Sequence, residues 1–457
     1  LFRSIARNMT DMASLMEDRA AAKVISGNLH TPVDWDSPKL ARNIKKRYAA
    51  ERRFKIYGLS AIAIALMALV VLGYSIISKG YSAFFQTYVQ MEIFFDPAKI
   101  DPDGTGDPAI IGRANFDSLI RDALSKQFPE VSGRSERRDL YDIVSGGASY
   151  DLRERVLENP SLIGQTRKVW LISGDDFDML NKGYISANTD EGDRRLNDQE
   201  IGWYNTLVSQ GSVEKQFHTR FFTNGDSREP ELAGIWGAAV GSFYTLVVTL
   251  ILSFPIGVLA AIYLEEFAPR NRFTTIVEVN INNLAAVPSI VFGLLGLEVY
   301  LNVMHLPRSA PVVGGLTLAL MTLPTIIIAS RAAIKAVPPS IRQAALGLGA
   351  SPVQTVTHHV LPLAMPGILT GTIIGMAQAL GETAPLLMIG MVAFIVDIPG
   401  GALDPATVLP VQIYLWADSP ERAFVEKTSA AIMVLLGFLI LMNGLAVYLR
   451  KKFERKW

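Results

Sequence analysis

Six long apolar stretches limit what this chain can fold into. The first, residues 56–78, contains no charged side chain. At 1.5 Å per residue, a helix of this length extends roughly 34 Å, enough to cross a hydrocarbon core about 30 Å thick. Five more stretches lie at residues 235–264, 276–301, 310–330, 366–396 and 428–449. The sequence therefore predicts a mainly α-helical, polytopic membrane protein with six transmembrane helices.

The charges are divided unevenly along the chain. The chain is half hydrophobic, 19% charged and formally neutral, with 43 Lys and Arg against 43 Asp and Glu. Residues 80–232 alone hold 17 Lys and Arg against 26 Asp and Glu, a net charge of −9. Basic residues favour the cytosolic side of a membrane helix. This division predicts an acidic domain outside the membrane, with both termini and the basic segments in the cytosol.

Residues 1–55 precede the first apolar stretch and are expected to form a cytoplasmic segment. Ala20, Ala21 and Ala22 indicate a short helix there. A cluster of Lys and Arg follows between residues 39 and 55. We interpret it as an orientation signal for the first span, with contact to anionic lipid headgroups as the alternative.

Residues 79–232 are expected to form a domain of their own. No stretch within them is apolar enough to cross a membrane, and turn-forming residues are frequent. Residues 169–172 are typical of a buried strand and residues 116–128 of an amphipathic helix. About 150 residues suffice for a hydrophobic core. The sequence predicts an inserted α/β or α+β domain on the periplasmic side.

Three aspartates in this domain, Asp101, Asp103 and Asp107, are spaced like ligands of a calcium-binding loop. However, Thr105 holds the fifth position, and Gly112 stands where the bidentate glutamate belongs. A solvated turn is therefore the preferred interpretation, and calcium binding is the alternative.

The segment at residues 331–366 is a polar interruption between apolar stretches, and it predicts two short helices joined by a sharp turn. Pro338 and Pro339 favour the start of the first helix, since the first-turn amide has no partner to lose. Gly347 and Gly349 favour its end, where a left-handed residue is common.

The second short helix is predicted to begin at Ser351 and Pro352, as N-cap and first helical residue, and to end at Leu361–Pro362. Both helices carry an apolar stripe at helical spacing. The stripes consist of Ile341, Ala345 and Leu348 in the first helix, and of Val353, Val356 and Val360 in the second. Two helices with small faces are suited to docking into a groove of another protein.

This segment resembles the EAA loop of ABC-importer permeases. The matching order is Ala-Ala, three residues, Gly, eleven residues and Leu-Pro, at Ala344, Ala345, Gly349, Leu361 and Pro362. Two positions depart from the family pattern, since Gln343 replaces the usual Glu and His359 the usual Ile. The resemblance implies that Gln343 and these five residues form a coupling helix seated in a cleft of a separate ATP-hydrolysing subunit.

A second informative stretch begins at Gln378 and reads QALGETAPLL. It places Glu382 within an apolar region, at an insertion cost of about 2.5–3.5 kcal/mol judged from Asp. Such a residue normally faces a bundle interior or a cavity. We therefore expect Gly381, Glu382 and Thr383 to lie at a substrate path or gate.

The run Gly-Glu-Thr-Ala-Pro-Leu-Leu also resembles the corresponding helix of A-type phosphate-specific ABC permeases. With the EAA-like loop, the resemblance covers roughly residues 235–455. It implies a type I ABC-importer permease core in the bacterial inner membrane. It further implies a second homologous permease subunit, two ATPase subunits and a periplasmic phosphate-binding protein as partners.

Two roles remain open for Glu382. In the first, Glu382 binds the substrate: phosphate near neutral pH keeps a proton, so it can donate a hydrogen bond to a carboxylate in the path, whereas sulfate cannot. Hydroxyls such as that of Thr383 would accommodate the negative charge of phosphate. Alternatively, Glu382 pairs with a basic residue of the second permease and helps to close the gate.

The sequence predicts a transport subunit rather than an enzyme, and no cofactor. It contains no P-loop motif, no nucleophile elbow and no cysteine, and its five histidines lack zinc-ligand spacing. The preferred function is a permease for inorganic phosphate, with another oxyanion such as molybdate or sulfate as the alternative. A membrane-bound sensor is a further alternative, but a sensor needs a cytoplasmic signalling module where four apolar stretches follow instead.

The acidic domain is not expected to bind phosphate tightly by itself, because its net charge repels anions at long range. A docking platform for the binding protein, or for the outer face of the second permease, is the preferred hypothesis for it.

Overall fold

The computed structural model describes residues 38–453, which divide into two compact units between Gly73 and Tyr74. The first described helix, α1 (Pro38–Gly80), contains the predicted span at residues 56–78. It begins well before that span, so the basic cluster is helical and continuous with it. The helix predicted around Ala20–Ala22 lies outside the described residues, as do the last residues of the basic tail.

Residues 81–232, here called the α+β domain, are built around a small sheet. Its strands are β1 (Phe85–Phe94), β2 (Thr166–Ile172) and β3 (Val213–Phe217), in the order β2-β1-β3 and antiparallel throughout. The helices are α2 (Pro97–Ile100), α3 (Pro108–Ile111), α4 (Phe116–Gln127), α5 (Arg134–Tyr141), α6 (Ala148–Glu158), α7 (Asp175–Lys182), α8 (Asp198–Ser209) and α9 (Thr219–Thr223). Because every strand pairing is antiparallel, the fold is α+β rather than α/β.

The predicted helix and strand of this domain are both present. Helix α4 begins at an Asn115 side chain that accepts a hydrogen bond from the Ser118 amide, and it ends at Gln127. It buries Phe116 and Leu124 at helical spacing, while β2 buries Val169 and Leu171 at a spacing of two. These apolar side chains belong to one core.

The aspartate-rich segment forms a turn that binds its own backbone. The Asp101 carboxylate accepts hydrogen bonds from the amides of Thr105 (3.1 Å) and Gly106 (2.6 Å), while Asp107 caps α3 by accepting from Ala109. Within residues 38–453, no cluster of three or more His, Cys, Asp or Glu side chains is arranged to hold a metal ion. The turn interpretation therefore fits this geometry.

The C-terminal half is helical and apolar. Its elements are α10 (Trp236–Ile262) with a π turn (Tyr263–Phe267), α11 (Arg272–Ala285), α12 (Ser289–Gly296) with a π turn (Leu297–Val303), α13 (Pro311–Lys335), α14 (Pro339–Gly347), α15 (Pro352–Gln354) with a π turn (Thr355–Val360), α16 (Leu361–Gly381), α17 (Ala384–Met388), α18 (Leu409–Ala417) and α19 (Ala423–Phe453). Five described helices are long and apolar enough to cross a membrane, or up to six if the bent pair α11–α12 counts as one span.

Helix α13 packs between α10 and α16, and small residues permit the close approach. A Cβ atom added to Gly257 of α10 would lie 2.8 Å from the Ile326 side chain of α13. One added to Gly371 of α16 would lie 2.2 Å from the Cβ of Ala329. Small residues at helix contacts let backbones approach closely in the apolar medium, where dispersion replaces the hydrophobic effect.

Two predicted spans differ from the structure. The span at residues 276–301 is not one straight helix, because α11 and the α12 segment meet at 99° around Pro288. The span at residues 366–396 ends at Gly381, where the backbone of Glu382 is extended. Only the short α17 follows, and residues 389–408 are not helical. Apolar composition alone did not reveal either break.

Candidate functional site

The turn predicted between the two short helices is present at residues 347–351. Helix α14 ends at Gly347, and Gly349 adopts φ +88°, the left-handed conformation that glycine tolerates best. The Gly349 amide donates to the Leu346 carbonyl at 3.0 Å, and the Ala350 amide donates to the Ala345 carbonyl at 3.1 Å. These bonds satisfy carbonyls that the end of the helix leaves unpaired.

The chain re-enters helix at Ser351, as predicted. The Ser351 hydroxyl accepts from the Gln354 amide, and the Gln354 side chain accepts from the Ser351 amide, which forms a capping box. However, the prediction that this helix closes at Leu361–Pro362 is wrong. The π turn at residues 355–360 carries the chain directly into α16, and the Leu361 amide donates to the Val356 carbonyl, five residues back. The changed hydrogen-bond register lets the helix continue past Pro362.

The two apolar stripes are only partly buried. Ala345, Val356 and Val360 are buried, but Leu348 is 91% exposed and Val353 59% exposed. Leu348 and Val353, on either side of the turn at Gly349, are therefore the stripe residues that remain accessible. With Leu346, which is 49% exposed, Leu348 and Val353 form an exposed apolar set, here called the loop patch.

The predicted coupling residues differ in their exposure to solvent. Gln343 and Ala344 are exposed, whereas Ala345 is buried. Leu361 and Pro362 are half-buried where the π turn enters α16. The structure therefore places Gln343 and Ala344 on the accessible face of the loop.

Arg342 connects the loop to the end of α10. Its guanidinium donates to the Glu266 carboxylate, with Nη2 2.6 Å from Oε1, and to the carbonyls of Val337 and Ile334. Arg331, at the base of the loop, donates to Glu278 at 2.7 Å and lies 3.3 Å from Glu265. Forked guanidinium–carboxylate contacts fix direction as well as distance.

Sequence analysis did not find these ion pairs. The adjacent acids Glu265 and Glu266, placed in a basic region that includes Arg270 and Arg272, were the available signal. A nearby surface depression of about 1020 Å³, lined by Glu265, Arg270, Arg272 and Arg331 among others, opens on the same face. The residues of these ion pairs come from four helices, α10, α11, α13 and α14, so their spacing in the sequence carries little information.

The predicted path residues lie at a break in the helical structure. Gly381 ends α16, Glu382 is extended with φ −79° and ψ 127°, and the chain resumes helix at Ala384. The Glu382 side chain is half-buried and makes no hydrogen bond or ion pair with any described residue. Backbone that leaves the helix inside an apolar region is tolerated where it is buried in protein or lines a cavity.

Helix α12 packs closely against the segment after this break. A Cβ atom added to Gly293 would lie 2.6 Å from the Pro385 Cα and 2.9 Å from the Met388 Cβ. A single glycine therefore sets the distance between the bent pair α11–α12 and helix α17.

Helix α16 connects the two predicted sites. Leu361 and Pro362 begin it, and Gly381 ends it just before Glu382. Its 21 residues extend roughly 30 Å at 1.5 Å each. The sites are therefore separate in space and are connected by one continuous helix.

The α+β domain contacts the segment that follows the break. A Cβ atom added to Gly225 would lie 2.1 Å from the Val396 carbonyl oxygen, and the Arg228 guanidinium lies 5.6 Å from the centroid of the Phe394 ring. The Trp416 indole donates to the Asp226 carboxylate at 2.9 Å. Burial raises the pKa of Asp226, while the bond from Trp416 opposes the shift.

A buried polar network joins the same domain to the start of α19. The Lys182 ammonium lies 2.6 Å from both the Asp178 and the Glu426 carboxylates, and these side chains are 3% exposed. Burial opposes the charged form of Lys182, but the two carboxylates outweigh it and raise its pKa. Lys427 lies 2.8 Å from Nδ1 of His218, whose pKa is lowered well below its usual value by burial and by the Lys427 charge.

Residues 253–455 match the family described as binding-protein-dependent transport system inner membrane component. Residues 41–191 match a domain of unknown function, DUF3333. The phosphate transport system permease protein PstA of Haemophilus influenzae is 30% identical over 252 residues, 55% of this chain and 86% of that protein.

Two further permeases are similar to this chain. PstA 1 of Mycobacterium tuberculosis (strain H37Rv) is 30% identical over 48% of this chain and 70% of that protein. The probable ABC transporter permease protein YqgI of Bacillus subtilis is 32% identical over 41% of this chain, and the match spans 63% of that relative.

These matches make the chain an inner membrane component of a binding-protein-dependent transport system, that is, an ABC transporter permease. Within this class it belongs to the PstA-like permeases. Its membership confirms a multi-pass inner membrane protein and a transport subunit rather than an enzyme. Permeases of this family work with ATPase and substrate-binding components, and the helical C-terminal half with its apolar helices agrees with the predicted permease core.

Proposed function

We propose that this chain is the permease subunit of an ATP-driven importer for inorganic phosphate and forms half of its translocation path. The PstA relatives are named as phosphate transport permeases, which supports the choice of anion. The observation that carries the mechanism is helix α16, which begins at the exposed loop and ends at the break beside Glu382.

In this proposal the loop at residues 331–366 binds the ATPase on the cytosolic side. The loop patch supplies exposed apolar surface, Gln343 and Ala344 lie on the accessible face, and Gly349 provides the turn between the helices. Arg342 and Glu266 hold the loop against α10. Movement of a docked ATPase is then transmitted along α16 to Gly381, Glu382 and Thr383.

The proposed assembly contains this chain, a second homologous permease, two ATPase subunits and a periplasmic phosphate-binding protein. Residues 1–55 lie in the cytosol, residues 79–232 in the periplasm, and both termini in the cytosol. The contacts of Gly225 and Arg228 with the segment after the break support a role for the α+β domain as a platform on the outer face.

The test is to purify the tagged chain from membranes together with its partner chains and to reconstitute the complex in vesicles. We expect ATPase subunits and a second permease to co-purify, and phosphate to be taken up when ATP and the binding protein are present. Molybdate and sulfate are measured in parallel. Uptake of one of these anions in place of phosphate would refute the phosphate assignment, and absence of an ATPase would refute the coupling role of the loop.

A further inference from the structure

A continuous row of aromatic rings runs from the α+β domain to the ends of three apolar helices. Tyr81, Phe217 and Phe222 are exposed and Phe85 is half-buried, and these four residues are here called the aromatic rim. Consecutive ring centroids are 5.4 Å apart for Tyr81 and Phe85, 6.3 Å for Phe85 and Phe217, and 5.8 Å for Phe217 and Phe222. The row continues into the core through Phe84, Phe221, Trp416 and Phe424.

The rim is attached to the membrane helices on each side. Tyr81 directly follows Gly80, the last residue of α1, and a Cβ atom on Gly80 would lie 2.8 Å from the backbone of Ala430 in α19. The buried end of the row packs with Ile235, the residue before α10 begins. The rim therefore lies at the level where α1, α10 and α19 end or begin.

The exposure of the rim is not explained by the fold of the α+β domain. Phe85 and Phe217 are paired in register on β1 and the edge strand β3, in the same column as the pair Val89 and Val213. Val89 is fully buried in the domain core, yet Phe217 is 55% exposed. Phe222 is 37% exposed and Tyr81 60% exposed. The pair between them on the same face is Thr87 and Lys215, so Phe217 lies beyond the buried apolar core, on the side of the membrane helices.

We propose that the aromatic rim is inserted into the headgroup region of the outer leaflet, so that the α+β domain rests on the bilayer. Aromatic residues are enriched at membrane–water interfaces, where a ring is accommodated between headgroups and acyl chains. Trp236, the first residue of α10 and 47% exposed, adds an indole at the same boundary. Lys79, exposed two residues before Tyr81, offers a cation to lipid phosphates.

Strand β1 also provides a control position outside the aromatic rim. Phe94, the last residue of β1, is 51% exposed and lies nine residues from Phe85, roughly 30 Å away at the rise of a strand. It is a phenylalanine of similar exposure on the far side of the domain. Because the chain has no cysteine, single cysteines can be introduced at either end without removing native ones.

The test uses the full chain with its partner chains, reconstituted in vesicles of phosphatidylethanolamine and phosphatidylglycerol. Nitroxide labels are attached to Phe217→Cys, Phe222→Cys and Tyr81→Cys. References are Phe94→Cys for water and Ile440→Cys, 71% exposed within α19, for hydrocarbon. The measurement is the ratio of collisions with oxygen, which partitions into lipid, to collisions with a water-soluble nickel complex.

The expected result is a collision ratio for the rim labels that is shifted from the Phe94 value towards the Ile440 value. A ratio equal to that of Phe94 would overturn the proposal, because the rim would then face water. Protection from both reagents would also overturn it, since a protein surface would then cover the rim. Three rim positions are labelled so that one variant that fails to fold does not decide the outcome, and the result is independent of the transported anion.

Discussion

The Arg342 guanidinium contacts both carboxylate oxygens of Glu266, with Nε 3.0 Å from Oε1 and 3.2 Å from Oε2. The pair connects the loop to the last turn of the apolar helix α10. The same guanidinium also donates to two backbone carbonyls at the start of the loop, so one side chain joins that segment to the end of α10.

Replacing Arg342 with Ala should loosen the loop while the helices still insert. Hydrogen bonds to charged groups contribute about 1.5–3 kcal/mol each, so the loss should lower ATPase retention and phosphate uptake several-fold. Arg342→Lys, which keeps the charge but not the fork, should be intermediate. ATPase stoichiometry and uptake are measured on the purified complexes. Wild-type values for Arg342→Ala would show that the contact does not orient the loop.

Two substitutions at Gly349 distinguish the effect of backbone strain from the effect of a bulky side chain at the loop surface. Gly349→Ala forces a side chain into φ +88°, at a cost of order 1 kcal/mol, and should weaken coupling modestly. Gly349→Trp should reduce it strongly, since open space surrounds this position among the described residues and the ring would project towards the ATPase. Gly347→Ala is the control, because that glycine is helical and equally open. If Gly349→Trp retains both ATPase binding and uptake, this turn is not the coupling element.

Glu382→Gln should leave assembly intact and impair uptake or its coupling to hydrolysis. The side chain makes no bond with a described residue, so the fold does not need its charge, and the substitution preserves its shape. The control Glu298→Gln makes the same change at a carboxylate that accepts from Asn302 on the π turn after α12. Uptake at limiting phosphate is compared with complex yield. Equal uptake by Glu382→Gln and wild type would exclude both roles considered for this residue.

Gly225→Ala should disturb the contact between the α+β domain and the segment after the break. The added carbon would lie 2.1 Å from a backbone oxygen of Val396, so the backbone must shift, at a cost of about 1–3 kcal/mol. Gly192→Ala, in the same domain with open space around it, is the control. Melting temperature and uptake are measured on the full chain with its partners. Uptake that falls without loss of stability would indicate that the contact positions the segment.

The buried Glu231 should make stability depend on pH. Burial raises its pKa from 4.5 to about 7, so its protonated form is favoured by folding, and stability should fall as pH rises towards and through 7. The lowered pKa of His218 acts only below about pH 6.5, where it favours unfolding as pH falls. Between pH 6.5 and 8, the contribution of Glu231 to the free energy of unfolding should therefore decrease by about 1 kcal/mol, measured as the difference between the wild type and Glu231→Gln.

The measurement is the melting temperature of the purified full chain in detergent across that pH range. Relative to the wild type, Glu231→Gln should gain stability as the pH rises, whereas the profile of Glu229→Gln, at an exposed neighbouring position, should run parallel to that of the wild type. Parallel profiles for Glu231→Gln and the wild type would show that Glu231 does not contribute to the pH dependence.

Local patterns in the sequence determined several elements. The apolar stretches predicted the membrane helices, and residues 116–128 and 169–172 predicted one helix and one strand of the α+β domain. Pro338–Pro339, Gly349 and Ser351–Pro352 predicted the start, turn and restart of the loop, because each acts on its own backbone through a missing amide, a permitted positive φ or a side-chain cap.

Other features were decided only by the tertiary structure. The 99° bend at Pro288 and the break at Glu382 occur inside apolar stretches, where the pattern is that of a continuous helix and packing decides where the helix stops. The continuation past Pro362 depends on a π turn. Arg342 contacts Glu266, which lies 76 positions away in the sequence, and Lys427 contacts His218, which lies 209 positions away. Only folding brings such side chains together, and their contacts then offset the cost of burying them.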